Sequence, residues 1–166
     1  YTLKLQYIDG FHFESFESIY KSYEKELYLF DTSYRHYCEA SRQANLELLK
    51  ALDKAIDDYY ADKYLIELST NLLERVEGEQ CLSNWTIPDV SNQYNFYRTN
   101  IEPLLNDKTK RRVAVIISDA FRYEAAVELC DLINEKRNSK ATLTSQLGVV
   151  PSYTNLGMAS LLPHQT

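Results

Sequence analysis

Apolar residues recur along this chain in two different rhythms, and the change between them divides it. From Gly10 to Gly78 there is neither glycine nor proline, and apolar positions return at steps of three and four. Phe16, Tyr20, Tyr23, Leu27 and Phe30 form one stripe, which predicts a helix over about 11–31. Asp31-Thr32-Ser33 reads as a break and a fresh N-cap. A second helix is then expected over about 34–59, with Tyr34, Cys38, Leu48, Leu52, Ala55 and Tyr59 inward. Leu65, Leu68, Leu72 and Val76 carry the rhythm on, as a third helix or an extension of the second. An antiparallel bundle or long hairpin is the simplest packing. Ahead of it, Thr2 to Ile8 alternates enough for a short strand or a lead-in.

Residues 77–92 read as a linker holding Gly78 and Pro88, with Trp85 anchoring the loop to a neighbour. Tyr94 to Leu105 predicts a short helix whose regularity Pro103 limits, and Asn106 to Arg112 a charged, solvated turn. The rhythm then changes. Val113 to Ile117 is a β-branched run without alternation, the pattern of a strand buried on both faces in a parallel sheet. Phe121, Ala125, Leu129 and Ile133 follow at steps of four, predicting a helix over about 120–137. Residues 141–150 predict a second strand, giving a right-handed β-α-β unit. The expected fold is therefore α/β: a helical region over 1–92, a connecting helix and turn over 93–110, and an α/β domain beginning at 111–166. Two strands make an incomplete parallel sheet. With a start that is not methionine, the chain is expected to be a fragment of a larger protein.

Ligands of such sheets bind beyond the carboxyl ends of the strands. Asp119 follows the first strand, and Ser152 and Thr154 follow the second, so all three should meet at one edge. Thr154 also opens a helical pattern through Leu156, Ala159 and Leu162. A hydroxyl is a poor nucleophile until a base or metal activates it. An acid beside a hydroxyl at a helix start therefore suggests metal-assisted phosphoryl or ester chemistry. Plainer roles fit the same residues: Asp119 or Ser152 as helix N-caps, and Thr154 as an exposed first-turn residue. A response-regulator phosphoacceptor also fits Asp119, but no acidic pair precedes it.

Composition narrows the classes. A net charge of -6 and a pI near 5.1 argue against an extended basic surface for nucleic acid. The fourteen tyrosines fall mostly at helical spacing, which suits packing with the hydroxyl at the rim better than base stacking. No apolar run reaches the roughly 18 residues of a membrane span, and no leader is visible. Cys38, Cys81 and Cys130 are odd in number and widely spaced, as reduced thiols of a cytoplasmic protein are. His12, His36 and His164 are scattered, so histidine writes no metal site.

Two blocks carry more specific information. VIISDAFRYEAAVEL, over its Ile116–Glu124 part, and LGVVPSYTNLGMASLLPH, over Pro151–Pro163, resemble the PglZ family. This family is the alkaline-phosphatase-superfamily component of BREX phage-defence systems. The tyrosine-rich helices, with YEKELYLFDTSYRHY and later NFYRTNIEPLL, resemble the region ahead of its phosphatase-like domain. The resemblance implies an alkaline-phosphatase-like α/β domain that uses divalent metal ions (Zn²⁺, Mn²⁺ or Mg²⁺) and a Ser or Thr nucleophile at a helix start. Asp119 matches the first metal-binding aspartate. Thr154 matches the nucleophile and a metal contact, with Ser152 as the alternate. Arg122 and Glu124 match the block in supporting positions, Arg122 bracing the edge loop and Glu124 pairing with it or capping.

The superfamily's remaining Asp and His ligands lie further downstream, so this stretch alone is expected to hold an incomplete metal site and to be inactive. Expected partners are other proteins of the phage-defence complex and, for the full protein, nucleic acid or another phosphoester. A membrane is not among them. The alternative function is a non-catalytic scaffold that docks through the helices of Phe11 to Val76.

Overall fold

The computed structural model describes residues 2–44, 50–107 and 112–164, and the chain divides into two units, Tyr1–Trp85 and Thr86–Thr166. The first begins with a helix, α1 (Thr2–Gln6), where a strand or lead-in was expected. Gly10 turns the chain out of it at φ 96°, a conformation that costs other residues roughly 1–2 kcal/mol. A side chain there would also come within 3.2 Å of the Glu67 carboxylate, which accepts the Phe11 N–H at 3.4 Å.

Ser15 then starts a continuous helical run. Its hydroxyl accepts the Ser18 N–H at 3.1 Å, and the Ser18 hydroxyl accepts the Ser15 N–H at 3.0 Å, a reciprocal cap. The run comprises α2 (Phe16–Ser22), a π turn (Tyr23–Leu27) and α3 (Tyr28–Ala44). It passes straight through Asp31-Thr32-Ser33, where the sequence suggested a break. Thr32 satisfies its hydroxyl on the Tyr28 carbonyl one turn back, at 3.2 Å. Asp31 caps nothing. It is buried and accepts three tyrosine hydroxyls: Tyr23 at 2.7 Å, Tyr60 at 2.5 Å and Tyr64 at 3.2 Å.

The second run is α4 (Lys50–Asp58), a π turn (Tyr59–Leu65) and α5 (Ile66–Gly78). The single helix expected over 34–59 is therefore corrected: 34–44 completes the first run and 50–58 opens the second, and the pattern from Leu65 to Val76 extends the second run. Residues 45–49, including Leu48, lie outside the described residues. The two runs are antiparallel: Tyr64 meets Leu27, Tyr60 stacks on Tyr34 at 3.8 Å, and Tyr37 donates to Asp53. Both π turns sit at the core. The Tyr64 hydroxyl, in the second π turn, donates to the Leu27 carbonyl, in the first, at 3.1 Å. Phe11, Leu27, Phe30 and Tyr64 form the buried centre, with the Phe30 and Tyr64 rings stacked 4.6 Å apart. Trp85 closes the unit on Phe16, ring centroids 5.0 Å apart.

The tyrosines therefore pack, as their spacing suggested, and the hydroxyls of Tyr7, Tyr23, Tyr34, Tyr37, Tyr60 and Tyr64 end on carboxylates. Burial, then the nearby Asp31 charge, raises the Tyr64 pKa far above its ordinary 10.0. The folded state thus holds this proton more tightly than the unfolded chain. Its contribution is complete below pH 10 and is lost as pH climbs from there toward the folded value. Burial also raises the Cys81 thiol above its ordinary 9.0, so the helical unit should keep its stability from neutral pH to about 9 and weaken above it. Urea midpoints followed by circular dichroism across that range measure the effect; a midpoint unchanged to pH 11.5 would refute it.

In the second unit, a short turn (Gln93–Asn95), a π turn (Tyr97–Ile101) and α6 (Glu102–Leu105) follow one another. The widened turn sits where Pro103 lacks an N–H and crowds the preceding carbonyls. Thr99 and Asn100 side chains bond back to the Asn95 and Phe96 carbonyls, at 2.9 and 3.2 Å. The basic centre of the expected charged turn, Lys108 to Arg111, lies outside the described residues. Residues 112–118 are extended, α7 (Tyr123–Asn134) follows, 141–150 is again extended, and α8 (Thr154–Ser160) comes last.

The expected β-α-β is not confirmed. Neither segment forms a strand among the described residues, and the pairing recorded there is one parallel bridge, Asn92 to Leu147. Nor is the apolar run buried: Ile116 is 92 % exposed. Hydrophobic patterning reports a preference for burial, whereas a strand needs a neighbour to exchange backbone hydrogen bonds with. Among the described residues 112–118 has no strand partner. No helix among the described residues is long and apolar enough to cross a membrane.

Candidate functional site

Asp119 and Thr154, separated by 34 intervening residues, meet: the Thr154 hydroxyl donates to Asp119 Oδ2 at 3.1 Å. The path between them explains how. After the extended 112–118, the chain turns at Asp119-Ala120, and Asp119 Oδ1 accepts the Ala120 N–H at 3.1 Å. Both carboxylate oxygens are thereby engaged. Asp119 is not a helix cap, since α7 begins at Tyr123 with Arg122 as its N-cap. At the far end of α7, the Asn134 side chain holds both groups of Ala141: its amide donates to the carbonyl at 3.1 Å and its oxygen accepts the N–H at 2.8 Å. That clamp returns the chain toward its start. The bridge at Leu147 and the side chain of Gln93 then bring 147–149 up to α8, whose first residue is Thr154.

The two groups face an open cavity of about 770 Å³, whose lining includes Asp119, Ser152, Thr154, Gln93 and Gly148. Phe121, Tyr153 and Met158 add exposed apolar surface to it. Ser152 shares the wall, but the hydroxyl bonded to Asp119 is that of Thr154. Ser152 is not the N-cap of α8 either; Tyr153 is, in extended conformation, and its carbonyl accepts the Gly157 N–H at 3.0 Å. Arg122 and Glu124 lie outside the lining. Glu124 is buried in the first turn of α7, where an acid suits the helix dipole, and its Oε1 is 3.4 Å from Arg122 Nε.

Ala120 adopts φ 54°, which costs a residue with a Cβ roughly 1–2 kcal/mol. The substitution Ala120→Gly should therefore leave stability unchanged or raise it by up to about 1 kcal/mol. Ala120→Val should lower it by at least about 1 kcal/mol, since β-branching tolerates this region worst. Thermal melts rank the three chains, and a valine variant as stable as the parent would contradict the assigned turn.

Gln93 was not legible as a site residue; in the sequence it is one polar residue at the edge of a linker. Gly157 proves to face it as well. A Cβ on Gly157 would sit 3.6 Å from Gln93 Nε2, so space alone does not demand glycine. For a divalent ion, the Asp119 carboxylate and the Thr154 hydroxyl are hard oxygen donors of suitable type at an open face. They make up part of a coordination set, and among the described residues no group of three or more His, Cys, Asp or Glu converges to complete it.

Comparison with known proteins agrees with the two sequence blocks. Residues 96–166 match the family model described as the BREX system PglZ alkaline phosphatase-like domain. The chain is 44% identical over 167 aligned residues to the alkaline phosphatase-like protein BrxZ of Escherichia coli O9:H4 (strain HS), covering 99% of the chain. It is 37% identical over 149 residues to the alkaline phosphatase-like protein PglZ of Bacillus cereus (strain H3081.97), covering 89%. The chain spans 19% and 17% of the lengths of these relatives. No solved structure matches it. Agreement over almost the whole chain, with the family domain covering the unit that carries Asp119 and Thr154, places this protein in the PglZ family of alkaline phosphatase-like BREX proteins.

Proposed function

We propose that this chain is the part of a longer PglZ protein that carries the nucleophile of a metal-dependent phosphoester hydrolase. It would work in the cytoplasm beside the other proteins of a BREX defence system. The observation that carries the reading is the 3.1 Å hydrogen bond from the Thr154 hydroxyl to Asp119 at the wall of an open cavity. Thr154 is the nucleophile and Asp119 orients it and contributes to metal binding. In the first step the Thr154 hydroxyl gives its proton to Asp119 Oδ2, the Oγ1–phosphorus bond forms and the bond to the leaving oxygen breaks. That oxygen departs with the electron pair and takes up a proton from solvent. Water then attacks phosphorus, the Oγ1–phosphorus bond breaks, phosphate leaves and Oγ1 takes a proton back. Asp119 and Thr154 would contribute oxygens to a divalent ion, which would supply positive charge to ease loss of the hydroxyl proton and offset phosphoryl charge. Asp119 Oδ2 is placed to receive the hydroxyl hydrogen bond, while the bond to the Ala120 amide keeps the carboxylate from rotating away.

The reading is tested by capturing the intermediate. Full-length protein is incubated with an aryl phosphate and Zn²⁺, Mn²⁺ or Mg²⁺, quenched in acid and digested, and the peptide containing Thr154 is sequenced by mass spectrometry. One added phosphoryl group on Thr154 is expected. Turnover with the phosphoryl group on Ser152 would transfer the role to that residue. Absence of hydrolysis with every metal, for phosphomonoester and phosphodiester alike, would leave the scaffold role in its place.

A further inference from the structure

Between the segment 147–149 and α8 lies one side chain that bonds to both. Gln93 Oε1 accepts the Val149 N–H at 3.3 Å, and Gln93 Nε2 donates to the Gly157 carbonyl at 2.9 Å. An amide is the side chain that offers a donor and an acceptor from one planar group. The backbone of the same residue is fixed separately: the Gln93 N–H donates to the Leu147 carbonyl at 2.9 Å, and the Leu147 N–H donates to the Ser91 carbonyl at 2.8 Å. The main-chain bridge thus locates Gln93, and its side chain then locates α8. The Gly157 carbonyl also takes the Ser160 hydroxyl at 2.8 Å, so α8 is held at that point from within and from outside. Gly157 lies three residues after Thr154, about one turn along the same helix. A rotation of α8 about its axis would carry the Thr154 hydroxyl away from Asp119, and the bond to Gln93 opposes that rotation. A Cβ added at Gly148 or at Gly157 would lie 3.6 Å from the amide, and Gln93 itself lines the cavity.

We infer that Gln93 is a positioning residue: its side-chain amide sets the rotation of α8 and so holds the Thr154 hydroxyl against Asp119. The consequence for turnover rests on the function proposed above; the structural part does not. Displacing a nucleophile by about 1 Å can cost on the order of 10²-fold in rate. Because Gln93 acts on the reacting hydroxyl rather than on substrate, its loss should lower kcat and leave KM nearly unchanged.

Two substitutions in the full-length protein separate the two bonds. Gln93→Met has similar length and neither polar function. Gln93→Glu keeps an acceptor for the Val149 N–H but sets a carboxylate against the Gly157 carbonyl. Hydrogen exchange resolved to single amides should show Val149 exchanging at least about tenfold faster in the methionine variant and near the parent rate in the glutamate variant. Amides of the first turn of α8 should exchange faster in both. With an aryl phosphate as probe, kcat should fall by roughly 10²-fold in both variants, with KM within about threefold and the melting temperature preserved. Unchanged exchange in α8 would overturn the inference whatever the activity. Faster exchange in α8 with kcat unchanged would overturn its catalytic consequence and leave the proposed hydrolase standing. A parent protein with no hydrolysis would remove that hydrolase, and the exchange rates alone would then decide whether Gln93 positions α8.

Discussion

Replacing Thr154 by alanine in the full-length protein is expected to lower phosphoester turnover by roughly 10³-fold or more, because it removes the atom that forms the covalent bond. Thr154→Ser should retain activity within about tenfold, since it keeps an oxygen in the first turn of α8. Ser152→Ala, on the same wall but not bonded to Asp119, should cost less than about tenfold. At the acid, Asp119→Ala should match Thr154→Ala. Asp119→Asn separates its two roles: it preserves an oxygen for a hydrogen bond and removes the charge an ion requires. A loss as deep for asparagine as for alanine assigns Asp119 chiefly to the metal. Steady-state kinetics with circular dichroism as a folding control measures the series. If alanine at both positions left the rate intact, the catalytic assignment would collapse, and retained phage resistance in those variants would point to the scaffold role.

The second large effect is on stability. Asp31→Ala should destabilise the helical unit by about 3 kcal/mol. The change takes the carboxylate acceptor from the Tyr23 and Tyr60 hydroxyls and leaves Tyr64 only the Leu27 carbonyl; a buried hydroxyl left unsatisfied costs roughly 1–3 kcal/mol. Part of that cost is offset by no longer burying a carboxylate. For a unit of this size, a melting temperature lower by roughly 12 °C or more is expected. Asp31→Asn keeps one acceptor oxygen and should cost about half as much. Scanning calorimetry and urea denaturation check both, and an alanine variant within 1 kcal/mol of the parent would show that the hydroxyls find other acceptors. The position is instructive because Asp-Thr-Ser is ordinarily a sequence of caps and turns. Here tertiary demand overrides local preference.

That residue marks the boundary of what could be read from the chain. Stripes such as Phe16-Tyr20-Tyr23-Leu27-Phe30 foretell helices because period and burial are both local properties. The pairing of Asp119 with Thr154 was also legible, from an acid and a hydroxyl placed after two apolar extended segments. The segments themselves do not pair as strands among the described residues: their pattern records a preference for burial, and pairing depends on a partner segment. Asn134 and Gln93 were invisible for another reason. Each works by offering both ends of a primary amide to backbone beyond its own element, and no spacing rule marks such a residue. The helix at 2–6 was missed because five residues are too few for period two and period 3.6 to be told apart.

The tyrosine–carboxylate contacts between the two long helices have a mechanical consequence. Tyr34 with Asp57, Tyr37 with Asp53 and Tyr60 with Asp31 act like the marks of a vernier. Sliding one helix past the other by a single turn, about 5.4 Å, would misalign them all together. The hairpin should consequently have one length setting and come apart in a single event instead of creeping through intermediate offsets.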